Sequence, residues 1–91
     1  MTSRARYSVL WTAKAEGQLA EAWAAATDRA AVASAANGLD ADLAIDPLAV
    51  GESRADNYRI EVRGVLAIIF SVSELDRIVL VVRVWRIADT D

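Results

Sequence analysis

The sequence contains neither cysteine nor histidine. The absence of cysteine excludes a disulfide scaffold and thiolate metal sites, and fits a reducing compartment. The absence of histidine removes the commonest general base, the commonest zinc ligand and every Ser-His or Cys-His nucleophile pair. Proline occurs once, and no repeat, linker or low-complexity stretch divides the chain. The longest apolar runs, VLAIIF and IVLVV, are strand-sized and far from the ~18 residues of a membrane span. MTSRARYSVLW carries arginines but no apolar run of signal-peptide length. A cytoplasmic protein without membrane contact is expected.

What is present is enough for one folded unit. With 91 residues and 55% hydrophobic content, a single domain over residues 1–91 with a packed core is expected. The net charge is -3, yet nearly all the basic residues are arginines, Lys14 being the one lysine. Arginine suits forked contacts to phosphate or carboxylate, although an alanine-rich, arginine-rich usage also follows from a GC-rich genome.

Tyr7 to Trp11 reads as a short strand of β-branched and aromatic residues. Thr12 is placed to cap a helix over TAKAEGQLAEAWAAATDR, with Ala15, Leu19, Trp23 and Ala26 on one face. Thr27 or Asp28 opens a second helix, in which Val32, Ala36, Leu39 and Leu43 form the buried stripe. Asp46-Pro47 stops it, because a proline ring disfavours helical geometry at the preceding residue. Three strands follow the loop. Tyr58, Ile60 and Val62 alternate with Arg59, Glu61 and Arg63; Leu66, Ile68, Phe70 and Val72 alternate with Ala67, Ile69, Ser71 and Ser73; RIVLVVRVW is apolar on both sides, as a central strand is. The order β-α-α-β-β-β predicts an α+β domain: a helical hairpin packed on one face of a small, mostly antiparallel sheet.

Three groups of residues invite a functional reading. Arg59 and Arg63 leave one face of their strand, opposite Ile60 and Val62, while Arg83 and Arg86 lie on opposite faces near the end of the last strand. If the last strand lies beside that of Arg59 and Arg63, their guanidinium groups line one rim and suit phosphate. The alternative is a solvated face paired with Glu52, Glu61, Glu74 or Asp76. Ile69, Val81, Trp85 and Ile87 are apolar residues assigned to the uncovered sheet face, where they either receive a partner or serve packing or dimer formation. Asp40, Asp42, Asp46 and Glu52 read as a wet acidic surface rather than a metal or acid–base site. Ser53 has no base to activate it. For Arg54, a local tie from the Gly51 loop to Asp46 or Glu52 is expected.

YSVLW opening onto an alanine-containing helix, then a P…G…R loop, YRIEVRG, LAIIFSV and VLVVRVWRI, resembles the RelE/ParE toxin superfamily from Arg6 to Ile87. The resemblance implies a small bacterial toxin of a type II toxin–antitoxin module, with an antitoxin whose segment wraps the toxin and occupies the groove or the exposed sheet, where it would cover Ile69, Val81, Arg83 and Trp85. In the RelE branch it implies a metal-independent, cofactor-free endoribonuclease acting on messenger RNA in the ribosome, with Arg59, Arg63 and Arg86 at the matching basic positions. Departures from that pattern are Glu61, the missing arginine at the start of VLAIIF, Trp85 in place of a histidine or small polar residue, and the lack of a tyrosine in ADTD. The ParE branch blocks DNA gyrase by binding and needs no such set. A sequence pI of about 4.8 also weighs against an RNA-dense target, although arginines act locally within a screening length of ~8–10 Å. The gyrase-type reading is therefore preferred, with the endoribonuclease and a non-toxic binding module as alternatives.

Overall fold

The computed structural model of the chain describes residues 6–87. The chain runs β1 (Ser8–Trp11), α1 (Ala13–Ala25), α2 (Arg29–Ile45), β2 (Glu52–Ser53), β3 (Tyr58–Arg63), β4 (Leu66–Ser73) and β5 (Ile78–Arg86). Short 3-10 turns cover Pro47–Ala49 and Ala55–Asn57. The expected order is present, with β2 as a two-residue addition inside the loop.

Local chemistry fixes the helix boundaries. Thr12 ends β1 in extended backbone, and its hydroxyl accepts from the Ala15 N–H at 3.0 Å. Asp28 repeats the device for α2, accepting from the Ala31 N–H at 3.0 Å. Each cap satisfies an N–H that has no partner inside the helix. At the other end of α1, Arg29 donates to the carbonyls of Trp23 and Ala24, both at 3.2 Å. Its guanidinium lies 4.5 Å from the centroid of the Trp23 ring. A cation is thereby placed where the helix dipole favours one.

The sheet order is β1-β5-β4-β3-β2. β1 pairs parallel with β5, and the remaining pairs are antiparallel. The apolar β5 thus lies inside the sheet, flanked by β1 and β4. Phe70, Ile68 and Leu66 of β4 and Val79, Val81 and Val84 of β5 are buried beneath the helices. Val32, Leu39 and Leu43 of α2 meet them, while α1 contributes Ala15 and Ala22. Of the expected α1 stripe, Ala15 is buried and Leu19 and Ala26 pack against the core, while Ala22 takes the place expected of Trp23. Small alanines bring the helix close to the sheet, and Trp23, too large for that seam, is 45% exposed at its edge.

Val81 corrects a second expectation. It is fully buried, whereas Trp85, four residues on, lies on the outer face. Regular alternation would have put both on one side. The ladder pairs Phe70 with Val81 but Ile69 with Arg83, leaving Val82 as an extra residue. That bulge reverses the phase of β5, so Val79 and Val81 point inward before it and Val84 after it.

β1 pairs with β5 only from Ile78 to Val81, so Val84 lies beyond its end. The Val84 N–H instead donates to Gln18 Oε1 at 2.8 Å. Gln18→Met keeps the side-chain volume and removes the acceptor. It is expected to lower the unfolding free energy by about 1–3 kcal/mol in urea denaturation, the usual cost of an orphaned buried donor. Gln18→Glu, which retains an acceptor, is expected to lose less.

Candidate functional site

The charged side of β3 faces the helical layer. Arg59, Glu61 and Arg63 pair across the ladder with Phe70, Ile68 and Leu66, all of them core residues. β3 lies toward the sheet edge, where the long arginine side chains occupy the margin of the core.

Arg59 is bound into the loop that precedes it. Its Nε donates to the Val50 carbonyl at 3.0 Å, and its Nη2 donates to the carbonyls of Leu48 at 3.1 Å and Gly51 at 3.0 Å. Nη1 donates to Ser53 Oγ at 3.0 Å. These bonds occupy most of the five N–H donors that a guanidinium carries. Gly51 adopts φ +71°, and a Cβ there would collide with the Ile60 carbonyl. The loop is thus closed onto β3 by an arginine and a glycine together.

Arg63 is held by acids. Its Nη2 lies 2.9 Å from Asp42 Oδ2 of α2 and 3.3 Å from Glu61 Oε2. The guanidinium passes over Gly38, where a Cβ would approach Nη1 to 3.2 Å. A shallow pocket of about 270 Å³ beside this clasp is lined by Asp42, Asp46, Glu61 and Arg63 among others, giving it an excess of negative charge.

Arg86 follows in the same row of the ladder, Arg63–Leu66–Arg86, two strands from Arg63. At ~4.8 Å per strand the two backbones are roughly 10 Å apart. The arrangement with the last strand beside that of Arg59 and Arg63 is therefore not the one adopted, because β4 lies between them. Arg83 leaves the opposite face, paired with Ile69, as the spacing to Arg86 implied. Neither Arg83 nor Arg86 makes an ion pair among the described residues.

The acidic residues have local work. Asp40 Oδ1 accepts from Trp11 Nε1–H at 3.1 Å, Asp42 pairs with Arg63, and Glu52 lies 3.6 Å from Arg54. The last contact is the local tie expected of Arg54. No group of three potential metal ligands occurs among the described residues.

Among the described residues no helix lies over the outer sheet face. Its rows run Trp85–Ala67–Val62, Arg83–Ile69–Ile60 and Leu10–Leu80–Ser71–Tyr58. Leu10, Tyr58, Val62 and Trp85 are each 39–55% exposed, so the apolar surface reaches onto β1 and β3, beyond the expected Ile69, Trp85 and Ile87, while Val81 leaves it for the core. Tyr58, Ile60 and Val62 belong to it. The signal for them was in β3 itself: a strand whose alternate residues are Arg, Glu and Arg has only its other side left for an apolar contact.

The comparisons agree on the fold. A chain of the RelBE2 toxin–antitoxin complex from Mycobacterium tuberculosis superposes with a TM-score of 0.77 at 22% identity, covering 98% of this chain and 100% of that one. A chain of the chromosomal ParDE TA system from P. aeruginosa gives 0.67 at 15% identity, covering 90% and 97%. No protein-family model matches the sequence, nor does any curated protein. The RelE/ParE-type fold implied by the sequence resemblance is the fold of this chain.

The geometry separates a structural arginine from a clasped one. Arg59→Met is expected to destabilise the protein by about 2 kcal/mol or more, because three loop carbonyls lose a charged donor. Arg63→Met is expected to cost under ~1 kcal/mol, since its ion pairs are partly exposed and screened. Urea denaturation of the two variants side by side checks the ranking.

Proposed function

We propose that the protein is a RelE/ParE-type toxin, neutralised by an antitoxin that covers the outer sheet face, and that it inhibits growth by binding a large target in the manner of the gyrase poisons. The observation that carries this reading is the uncovered apolar sheet on a fold shared with chains of two toxin–antitoxin complexes. Ile69, Arg83 and Trp85 are the partner-facing residues retained from the sequence; Val81 supports the sheet from beneath.

Binding is favoured over RNA cleavage by the state of the arginines. A phosphate needs free forked donors in a positive field. Arg59 spends its donors on the loop, and Arg63 faces Asp42 and Glu61. The metal-independent endoribonuclease remains the second reading, because Arg63 and Arg86 share one row on the helix-facing side of the sheet.

Inducing the chain in a bacterial host, with transcript ends mapped in the same culture, tests the reading. Growth arrest with intact messages and DNA-damage signalling is expected. New cuts inside translated messages, lost in Arg63→Ala and Arg86→Ala, would replace it with the endoribonuclease. Normal growth at confirmed soluble expression would point to a binding module without toxicity. Trp85→Glu and Ile69→Glu are expected to weaken antitoxin binding at least tenfold while changing the urea midpoint little; co-purification with a co-expressed antitoxin reads that out.

A further inference from the structure

The hairpin between β4 and β5 holds out the most exposed large apolar side chain among the described residues. Leu75 is 95% exposed, whereas the next, Val62, reaches 55%. The turn does not ask for a leucine. Residues 74–77 join the two strands, and glycine, asparagine, aspartate and serine are the usual builders of such a loop. The loop is also held in one shape. The Asp76 N–H donates to Ser73 Oγ at 3.3 Å, and the Ser73 hydroxyl donates to Asp76 Oδ2 at 3.4 Å. Arg77 closes the turn at φ +57°, and its carbonyl accepts from the Ser8 N–H of β1 at 2.8 Å. An apolar knob fixed in this way loses little conformational freedom when it enters a socket.

The knob stands between two exposed carboxylates, Glu74 and Asp76, and neither makes an ion pair among the described residues. Arg77, the adjacent cation, lies over β1, its guanidinium 5.1 Å from the centroid of the Tyr7 ring. The tip is therefore apolar with an acidic collar. That collar sorts the partners. It repels the phosphates of nucleic acid and anionic lipid headgroups, and two copies meeting tip to tip would bring like charges together. A protein socket with lysine or arginine around an apolar floor complements both parts of the tip. The tip also lies apart from Trp85: from Ile78 to Trp85, β5 runs roughly 20 Å at ~3.3 Å per residue.

We infer that Leu75 is the anchor through which the protein grips its large target, and that the target presents an apolar socket rimmed by lysine or arginine. Leu75 fills the floor of that socket, while Glu74 and Asp76 meet its cationic rim. That the partner is a target whose capture stops growth rests on the toxin reading above. The chemistry of the socket rests on the hairpin alone.

The test induces the unaltered chain, Leu75→Ser, Leu75→Met and Glu74→Arg in one bacterial host over a range of inducer. Soluble level and urea midpoint are measured for each. Leu75→Ser is expected to need about tenfold more chain or more for the same growth arrest, the usual effect of truncating an interface anchor, with its midpoint unchanged. Leu75→Met keeps an apolar knob and is expected to retain most of the arrest. Glu74→Arg sets a cation against the rim and is expected to weaken arrest by about tenfold. Equal arrest by Leu75→Ser and the unaltered chain overturns the anchor and leaves the toxin. Leu75→Met as weak as Leu75→Ser, or a midpoint that falls with the arrest, overturns it too. Full arrest by Glu74→Arg overturns the cationic socket. No arrest by the unaltered chain at confirmed soluble expression sinks the toxin reading, and the anchor with it.

Discussion

The bulge at Val82 sets the character of both sheet faces. β5 is the strand on which the helices, β1 and β4 all converge, and its residues alternate between two environments of opposite chemistry. Continued without interruption, the phase that buries Val79 and Val81 would drive Arg83 and Trp85 under the helices. An unpaired guanidinium there would cost several kcal/mol. One extra residue returns Arg83 and Trp85 to the outer face and gives the core Val84 instead. Gln18 then satisfies the Val84 N–H, joining α1 to the strand just where β1 has ended. The outer surface proposed to meet a partner is therefore specified from the covered side.

The arginines show a similar economy. Each guanidinium on β3 performs a task inside the fold. Arg59 organises the segment from Leu48 to Ser53, and Arg63 links the sheet to α2 through Asp42. Gly38, which costs α2 about 1 kcal/mol of helix propensity relative to alanine, leaves room for Arg63 to cross the helix surface. Asp42 and Glu61 neutralise Arg63, and Arg59 spends its donors on neutral loop groups, so β3 presents no free forked donor set. The helical layer keeps its excess of acid, and the two faces of the protein differ accordingly: one apolar with scattered arginine, the other acidic.

Much of this was legible in the sequence. Thr12, Asp28 and Pro47 mark helix boundaries by local hydrogen bonding and ring sterics, so they could be read without tertiary information. The continuous apolar run from Ile78 to Val82 marked the interior strand, because only a strand covered on both sides tolerates it. The misses share a cause. The place of Val81 depends on a bulge, and the separation of Arg63 from Arg86 depends on which strand lies between them. Both are set by non-local pairing that no short window of residues contains.

The parallel pairing of β1 with β5 carries a consequence for synthesis. Trp11 and Val81 are partners, yet nearly the whole domain separates them along the chain. Loop closure of that length is entropically costly and slows folding. On the ribosome the hairpin of α1 and α2 emerges early, but β1 must wait for β5 before its edge is paired. Until then the alanine-rich helices have no sheet on which to pack. The complete outer face comes into being only when β5 arrives, so any partner that reads that face meets this chain only after β5 has been synthesised.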